Sequence, residues 1–417
     1  MKRPTPASLK RVTPENLARL GAPRLAELLA EVAESRADLK RRLRMELAAE
    51  QGSEHLLAEI DRRLTLIAAA RSPVSWRQRP ALVRDLESLC DLIARRLAEL
   101  DLLAAQDRIL RFMALPPTLE RRVRDKEGAV AAVFTRAAED VGRLLAQADP
   151  GEAGARLAQA IEEAPRAWSE WLGLALPAAG PELSRAALAQ LPGRGAAWMV
   201  ARRRLAETAG DLDAYVDTFS SEALKTPSVA AEVAGRLLQD GRLGEARRVL
   251  EGAVQPGLFR RGADGRATPD FEWETVWIDY LERSGQTEAA QEARWASFQR
   301  TLSAPRAKAF TARLPDFADV EAEHRIFELA ASAPDPLQGL GLLLEWPALP
   351  EAVRMIEARA SELRPSAAQA ERWAAKLRVR YPAAAHLLLR RAAAEAFRRR
   401  EFATCERLTA AAESLVA

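Results

Sequence analysis

VAAEVAGRLLQDGRLGEARRVLEGA, Val229 to Ala253, reads as two short amphipathic helices folded back on each other at Asp240-Gly241. Val233, Ala234, Leu237 and Leu238 line one helix, and Ala246, Val249, Leu250 and Ala253 line the next, at the three-and-four spacing of a helical stripe. Gly241 stands where the first helix must stop, because a residue just past a helix end often turns left-handed and glycine does so without a Cβ clash. A hairpin this small cannot bury both apolar faces alone, so it implies stacked neighbours.

The hairpin recurs. Gly285 and Ala290, in LERSGQTEAAQEA, reproduce the five-residue offset of Gly241 and Ala246. The small alanine at that offset lets two helices approach closely. Gly210 in AETAGDLDAY and Arg400-Glu401-Phe402 are degenerate copies. Gly210 to Gly241 is 31 positions and Gly241 to Gly285 is 44. The first is close to the tetratricopeptide period of about 34. The second is lengthened by a Gly/Pro/Arg loop, Gln255 to Asp270, which is expected to be a surface excursion tethered at Phe259.

Working outward, Pro and Gly punctuate helical segments almost from end to end. Thr13-Pro14 is a helix-start signal, Ser53 is an expected cap, and Pro116-Pro117 is expected to stop the helix that begins at Asp101. Helices are also expected over 23–33, 36–50, 53–70, 80–99, 153–163, 166–176, 181–191 and 195–209. Asp149-Pro150-Gly151 marks a lobe boundary, giving an N-terminal helical lobe over 1–150 and a helical-repeat lobe over 151–417. No alternating apolar/polar segment bounded by turn residues occurs, so essentially no sheet is expected. The expected fold class is all-α: stacked helical hairpins forming a tetratricopeptide-like solenoid behind an N-terminal helical lobe.

Composition excludes several classes of function. Of 417 residues, 48% are apolar and 29% charged, which rules out global disorder. The net charge of +3 creates no strong field for polyanions. Residues 1–150 carry 27 basic and 22 acidic side chains, so any basic bias lies there. Cys90 and Cys405 form no CxxC pair, which argues against a disulfide framework or zinc knuckle and for a reducing compartment. No apolar run approaches the ~18 residues of a membrane span. A soluble, cytoplasmic protein with no membrane contact is expected.

Six segments carry a family resemblance in collinear order: Val74-Ser75-Trp76-Arg77, RVRDKEG (122–128), AGDLDAYVDTFS (209–220), LLQDGRLGEA (237–246), LPDFADVEAE (314–323) and YPAAAHLLLRRA (381–392). Together they resemble an uncharacterised family of bacterial all-helical proteins with tetratricopeptide-like repeats, whose sequence also occurs downstream of SWIM-type zinc fingers. The resemblance implies a helical-repeat fold and no established activity. This chain has no SWIM cysteine/histidine set, so that finger's zinc and nucleic-acid associations do not carry over.

Chemistry-bearing constellations are sparse. The histidines are His55, His324 and His386, and none is near a cysteine in sequence. Glu321-Ala322-Glu323-His324 has the spacing of a di-iron half-site but lacks the second copy such a site needs. No G-x-S-x-G elbow, Walker loop or dinucleotide fingerprint occurs. Cys90 lies in an apolar stripe as a small core residue. Trp76 is expected to close a turn with Arg77 salt-bridged beside it, and Trp273, Trp277 and Trp295 are expected to fill gaps between hairpins.

The functional expectation is a non-enzymatic protein-protein interaction scaffold that binds a partner segment on a helical-repeat surface, with no catalytic residue, metal or cofactor. Glu232, Arg236 and Gln239 are the expected contacts on an inner helix, and Arg260 and Arg261 those on the loop, since successive inner helices present one continuous surface. The alternative is nucleic-acid binding through basic N-terminal helices, using Arg36, Lys40, Arg44, Arg121, Arg122 and Arg124. Partner identity and oligomeric state stay open.

Overall fold

The structure, a computed structural model, describes residues 12–191, 195, 198–253 and 271–415, together with the backbone of 260–261 and 267–268. It divides into two compact units, residues 1–220 and 221–417. Among the described residues no helix is long and apolar enough to cross a membrane.

The first unit opens with α1 (Pro14–Ala18), whose cap Thr13 accepts a hydrogen bond from the Asn16 amide at 3.3 Å, as Thr13-Pro14 predicts. Next come α2 (Ala22–Ser35), α3 (Ala37–Glu50) and α4 (Ser53–Ala69). Ser53 is the first helical residue of α4 and not its cap; the cap position belongs to Gly52. The helix expected over 80–99 is α5, which starts as Arg79–Asp91, passes through a π-helical Leu92–Leu97 and closes as Ala98–Leu100.

Asp101 caps α6 (Leu102–Met113) by accepting from the Ala104 amide at 3.0 Å. Pro116-Pro117 does more than stop that helix: it opens α7 (Pro116–Glu120), where a missing N–H costs nothing. In α8 (Ala129–Leu145) the cap is remote, with Asp125 Oδ2 accepting from the amides of Val130 at 2.8 Å and Ala131 at 3.0 Å. Asp149 Oδ1 accepts from Gly151 and Glu152 at 2.9 and 3.1 Å and so starts α9 (Pro150–Glu163); this break lies inside the first unit.

The two helices expected over 166–176 and 181–191 are present and meet without a loop at Gly180, whose φ of 85° is non-helical; together they are α10 (Pro165–Gln190). Pro177 and Pro181 flank the turn, and each removes a backbone donor there. The unit closes with α11 (Met199–Ala209) and α12 (Leu212–Val216). At the core of this unit, α8 buries Val133, Phe134, Ala137, Ala138, Val141 and Leu145. Phe134 stacks on Phe112 at 4.9 Å, and a Cβ on Gly142 would overlap the Ala175 carbonyl, so α8 and α10 meet backbone to backbone.

The second unit holds α13 (Pro227–Gln239), α14 (Leu243–Gly252), α15 (Phe271–Arg283), α16 (Thr287–Thr301), α17 (Ala304–Thr311), α18 (Ala318–Ala331), α19 (Pro336–Glu345), α20 (Leu349–Ala358), α21 (Ala367–Leu377), α22 (Pro382–Arg398) and α23 (Phe402–Glu413). Between α14 and α15, β1 (Arg260–Arg261) pairs antiparallel with β2 (Ala267–Thr268). That two-residue ladder and one isolated bridge, Val74 to Val123, are the extent of β pairing among the described residues. The rest of the expected 255–270 excursion, Phe259 included, lies outside the described residues.

The hairpin predicted at Gly241 is present, and its joint repeats. After α13 the Arg242 amide donates to Leu237 O at 2.8 Å, and Gly241 takes φ of 78°. The same six-residue closure joins Asp211 to Ala206, Gln286 to Leu281 and Glu401 to Ala396, each at 2.9 Å, with Gly210, Gly285 and Arg400 at φ of 67°, 78° and 61°. This is the bond pattern that satisfies carbonyls at a helix C-terminus. Ala246 and Ala290, five residues beyond two of these turns, are fully buried.

Candidate binding cleft

In the first unit, α7, the turn after it, α8 and the junction of α9 with α10 surround an open cleft of about 790 Å3. Its apolar lining comes from Pro116, Pro117 and Leu119 of α7, Val123 of the turn, Val130 and Phe134 of α8, and Pro165 and Trp171 of α10. Phe134 and Trp171 are buried and stack at 6.5 Å, and Trp171 meets Trp168 edge-on at 5.5 Å. These rings are fixed by packing, so the floor is preformed. A concave apolar site with a few polar groups at its edge is the usual form of a binding site.

The polar edge is acidic. Glu120, Asp125, Glu163 and Glu170 line the cleft with Arg166 as the single basic side chain. Glu120, Glu163, Arg166 and Glu170 are exposed, and among the described residues none of the four is in an ion pair. Glu163 accepts one weak bond from Gln159 at 3.3 Å. Asp125 differs, because both α8 amides hold its Oδ2 while its buried Oδ1 accepts no bond. Its charge sits on the positive end of α8, where the helix dipole stabilises it.

One of the sequence segments that carry the family resemblance, RVRDKEG, lines this cleft with Val123 and Asp125, and a second is joined to it. Val74 N donates to Arg122 O at 2.9 Å, joining Val74-Ser75-Trp76-Arg77 to RVRDKEG through the isolated bridge. Arg79 donates to the Arg124 carbonyl at 2.9 Å, and Arg122 donates to the carbonyls of Ser72 and Ile67 at 2.9 and 3.4 Å. The junction therefore holds Val123 and Asp125 in place. Trp76 does not close the turn as expected: it is 72% exposed, and Arg77 stacks over its ring at 5.2 Å.

The residues expected to bind a partner lie in the second unit. Glu232 and Gln239 are exposed and Arg236 is half-buried on α13. Glu232 lines a shallow groove of about 410 Å3 with Val229, Glu272 and Val276, and neither Arg236 nor Gln239 lines it. The side chains of Arg260 and Arg261 lie outside the described residues. The tryptophans around the loop do fill gaps. Trp273 stacks on Trp277 at 5.5 Å and donates to Leu250 O at 3.1 Å, while Trp295 packs against Phe298 and Phe310 at 5.4 and 5.0 Å.

Of the basic residues expected to bind nucleic acid, Arg36 and Lys40 are matched by acids, whereas Arg44, Arg121 and Arg124 are exposed and in no ion pair among the described residues. Arg36 pairs with Asp38 and Lys40 with Glu34 at 2.6 and 2.8 Å, and Asp61 takes both Arg108 and Arg111 at 2.8 and 2.6 Å. The Arg36 hydrogen bond holds the Asp38 carboxyl well below the usual carboxylate range, and Arg108 lowers that of Asp61. Arg122 is spent on backbone carbonyls. Such residues are neutralised locally and add little to a field that would attract a polyanion.

Reactive chemistry is muted among the described residues. Cys90 is 2% exposed, and burial pushes its thiol up to about 12, helped by Asp140 at 3.8 Å. A thiol so placed is a poor nucleophile. His386 Nδ1 bonds to Ala412 O at 2.9 Å between α22 and α23. No group of three or more His, Cys, Asp and Glu side chains is arranged to hold a metal ion among the described residues.

Sequence reasoning missed the cleft. The signals were present in Pro116-Pro117, which sets one rim, and in RVRDKEG, which supplies Asp125, but Glu163 and Trp171 lie some forty residues further on and share no pattern with them. Compared with known proteins, the profile of a family of unknown function, DUF6880, matches residues 7–201 and 190–415. No curated protein and no solved structure matches.

Proposed function

The chain belongs to the family of unknown function DUF6880, and from that premise we propose that it is a non-enzymatic protein-protein interaction scaffold whose first unit takes a segment of a partner protein in the cleft between α7, α8 and α10. The observation that carries this reading is the apolar cleft surface of Pro116, Pro117, Ala131 and Pro165, backed by the packed rings of Phe134 and Trp171, beneath an open, charged edge. Rigid side chains bind with little loss of rotamer freedom, and a polar rim around an apolar centre is how protein interfaces are built. The partner contacts first expected at Glu232, Arg236 and Gln239 become a secondary surface in this reading. The same proposal takes the hairpins sharing the six-residue closure as tetratricopeptide-like repeats, which the recurrence of that joint supports.

The local pairing of Arg36 and Lys40, and the use of Arg122 on backbone carbonyls, favour this reading over nucleic-acid binding. Site-directed photo-cross-linking tests it. Benzoylphenylalanine in place of exposed Thr135, at the cleft edge, should yield a covalent adduct with one polypeptide in an extract of the native cell, and Ala131→Trp should abolish that adduct by filling the cleft. An adduct profile that Ala131→Trp leaves unchanged contradicts the proposal.

A further inference from the structure

We infer that the segment received by this cleft is cationic: a large apolar side chain seated among Pro116, Pro117 and Pro165 over the packed Phe134 and Trp171, flanked by Arg or Lys that meet Glu120, Glu163 and Glu170. The inference rests on the proposed binding function and goes beyond it by fixing the chemistry of the occupant. Charge complementarity carries it. In a chain whose arginines outnumber its lysines and commonly pair with nearby acids, the cleft edge presents three exposed glutamates without ion pairs, against Arg166 alone. Asp125 adds a fourth negative charge that its two amide bonds keep in place.

The cost of leaving these charges unpaired is small in water, so the folded chain tolerates them. An acidic segment would meet four carboxylates within a cleft of about 790 Å3, where like charges brought together repel. An uncharged apolar segment would bury the floor but leave the glutamates beside a desolvated surface with no donor. A segment with Arg or Lys beside its anchor relieves both. Arginine suits the site best, since its fork can pair with one carboxylate in two places.

The test is selection from a phage-displayed random dodecapeptide library on the full chain, followed by fluorescence anisotropy of an enriched peptide against four proteins. These are the parent, Glu120→Lys/Glu170→Lys, Ala131→Trp and Thr135→Trp, the last keeping a cleft-filling test available if Ala131→Trp does not fold. The expected result is enrichment of peptides with Arg or Lys beside a large apolar residue, bound about tenfold more weakly by the charge-reversed protein and lost on filling the cleft. Raising the salt should weaken that binding, as screening of rim charges requires. Enrichment of acidic or uncharged peptides that still depend on the open cleft overturns the inferred chemistry and leaves the binding function standing. Peptides indifferent to both filled variants, or no enrichment, overturn the site and with it the inference.

Discussion

Arg400 occupies a position that glycine holds in three equivalent turns. Its φ of 61° matches those of Gly210, Gly241 and Gly285, and its neighbour Glu401 makes the same closing bond to Ala396. For a residue with a Cβ this conformation costs about 1–2 kcal/mol. Arg400→Gly should therefore stabilise α22–α23 and raise the thermal midpoint by about 2–4 °C, the shift that 1 kcal/mol gives in a unit of this size. Gly241→Ala should lower it by a similar amount. Paired melts of the two variants check this, and a fall on Arg400→Gly would show that its side chain contributes more than its backbone conformation costs. This feature was legible in sequence, because the five-residue offset from Gly241 to Ala246 recurs and points to the joint before any coordinate is known.

At the scale of the elements, the sequence signals that survived were those with a local physical cause. Thr13 caps α1 as expected, and Asp101, read only as the start of its helix, caps α6, because a side-chain oxygen next to a helix start finds free amides; Ser53, expected as a cap, is instead the first helical residue. What escaped were features set by packing. The π turn at Leu92–Leu97 puts Leu92, Ile93, Ala94 and Leu97 into the core, and a stripe counted at 3.6 residues per turn cannot report it. The two helices expected over 166–176 and 181–191 are present, but the pattern did not show that they meet at Gly180 without a loop. Gly142 is a third case. It lies in the interior of α8, where propensity alone would favour alanine by roughly 0.5–1 kcal/mol. Because a Cβ there would strike the Ala175 carbonyl, Gly142→Ala should instead destabilise the first unit by about 1–3 kcal/mol and disturb the α8–α10 contact beneath Phe134 and Trp171. Urea unfolding followed by tryptophan fluorescence reads both effects, and an unchanged or raised midpoint would refute the close approach.

Across the whole molecule, part of the charge that looks functional in the sequence is consumed in local pairing, although Arg44, Arg121 and Arg124 stay exposed and in no ion pair among the described residues. The basic face of Arg36 and Lys40 is paired with Asp38 and Glu34, and in the second unit buried Arg306 donates to Thr275 and Ser297 while Ser297 donates to buried Glu274. Burial and mutual bonding make such networks costly to break, so they are poor places for a partner to compete. The acidic edge of the cleft stands apart from them. It was illegible in sequence because Glu120 and Asp125 lie some forty residues before Glu163 and Glu170, and the two pairs converge only when α8 and α10 pack through Gly142 and Ala175. Hydrogen exchange of the full chain, with and without an enriched cationic peptide, tests this account most directly. Protection on binding should be confined to residues 116–135 and 163–171; protection over residues 227–283, the α13–α15 surface that carries Glu232, would contradict it.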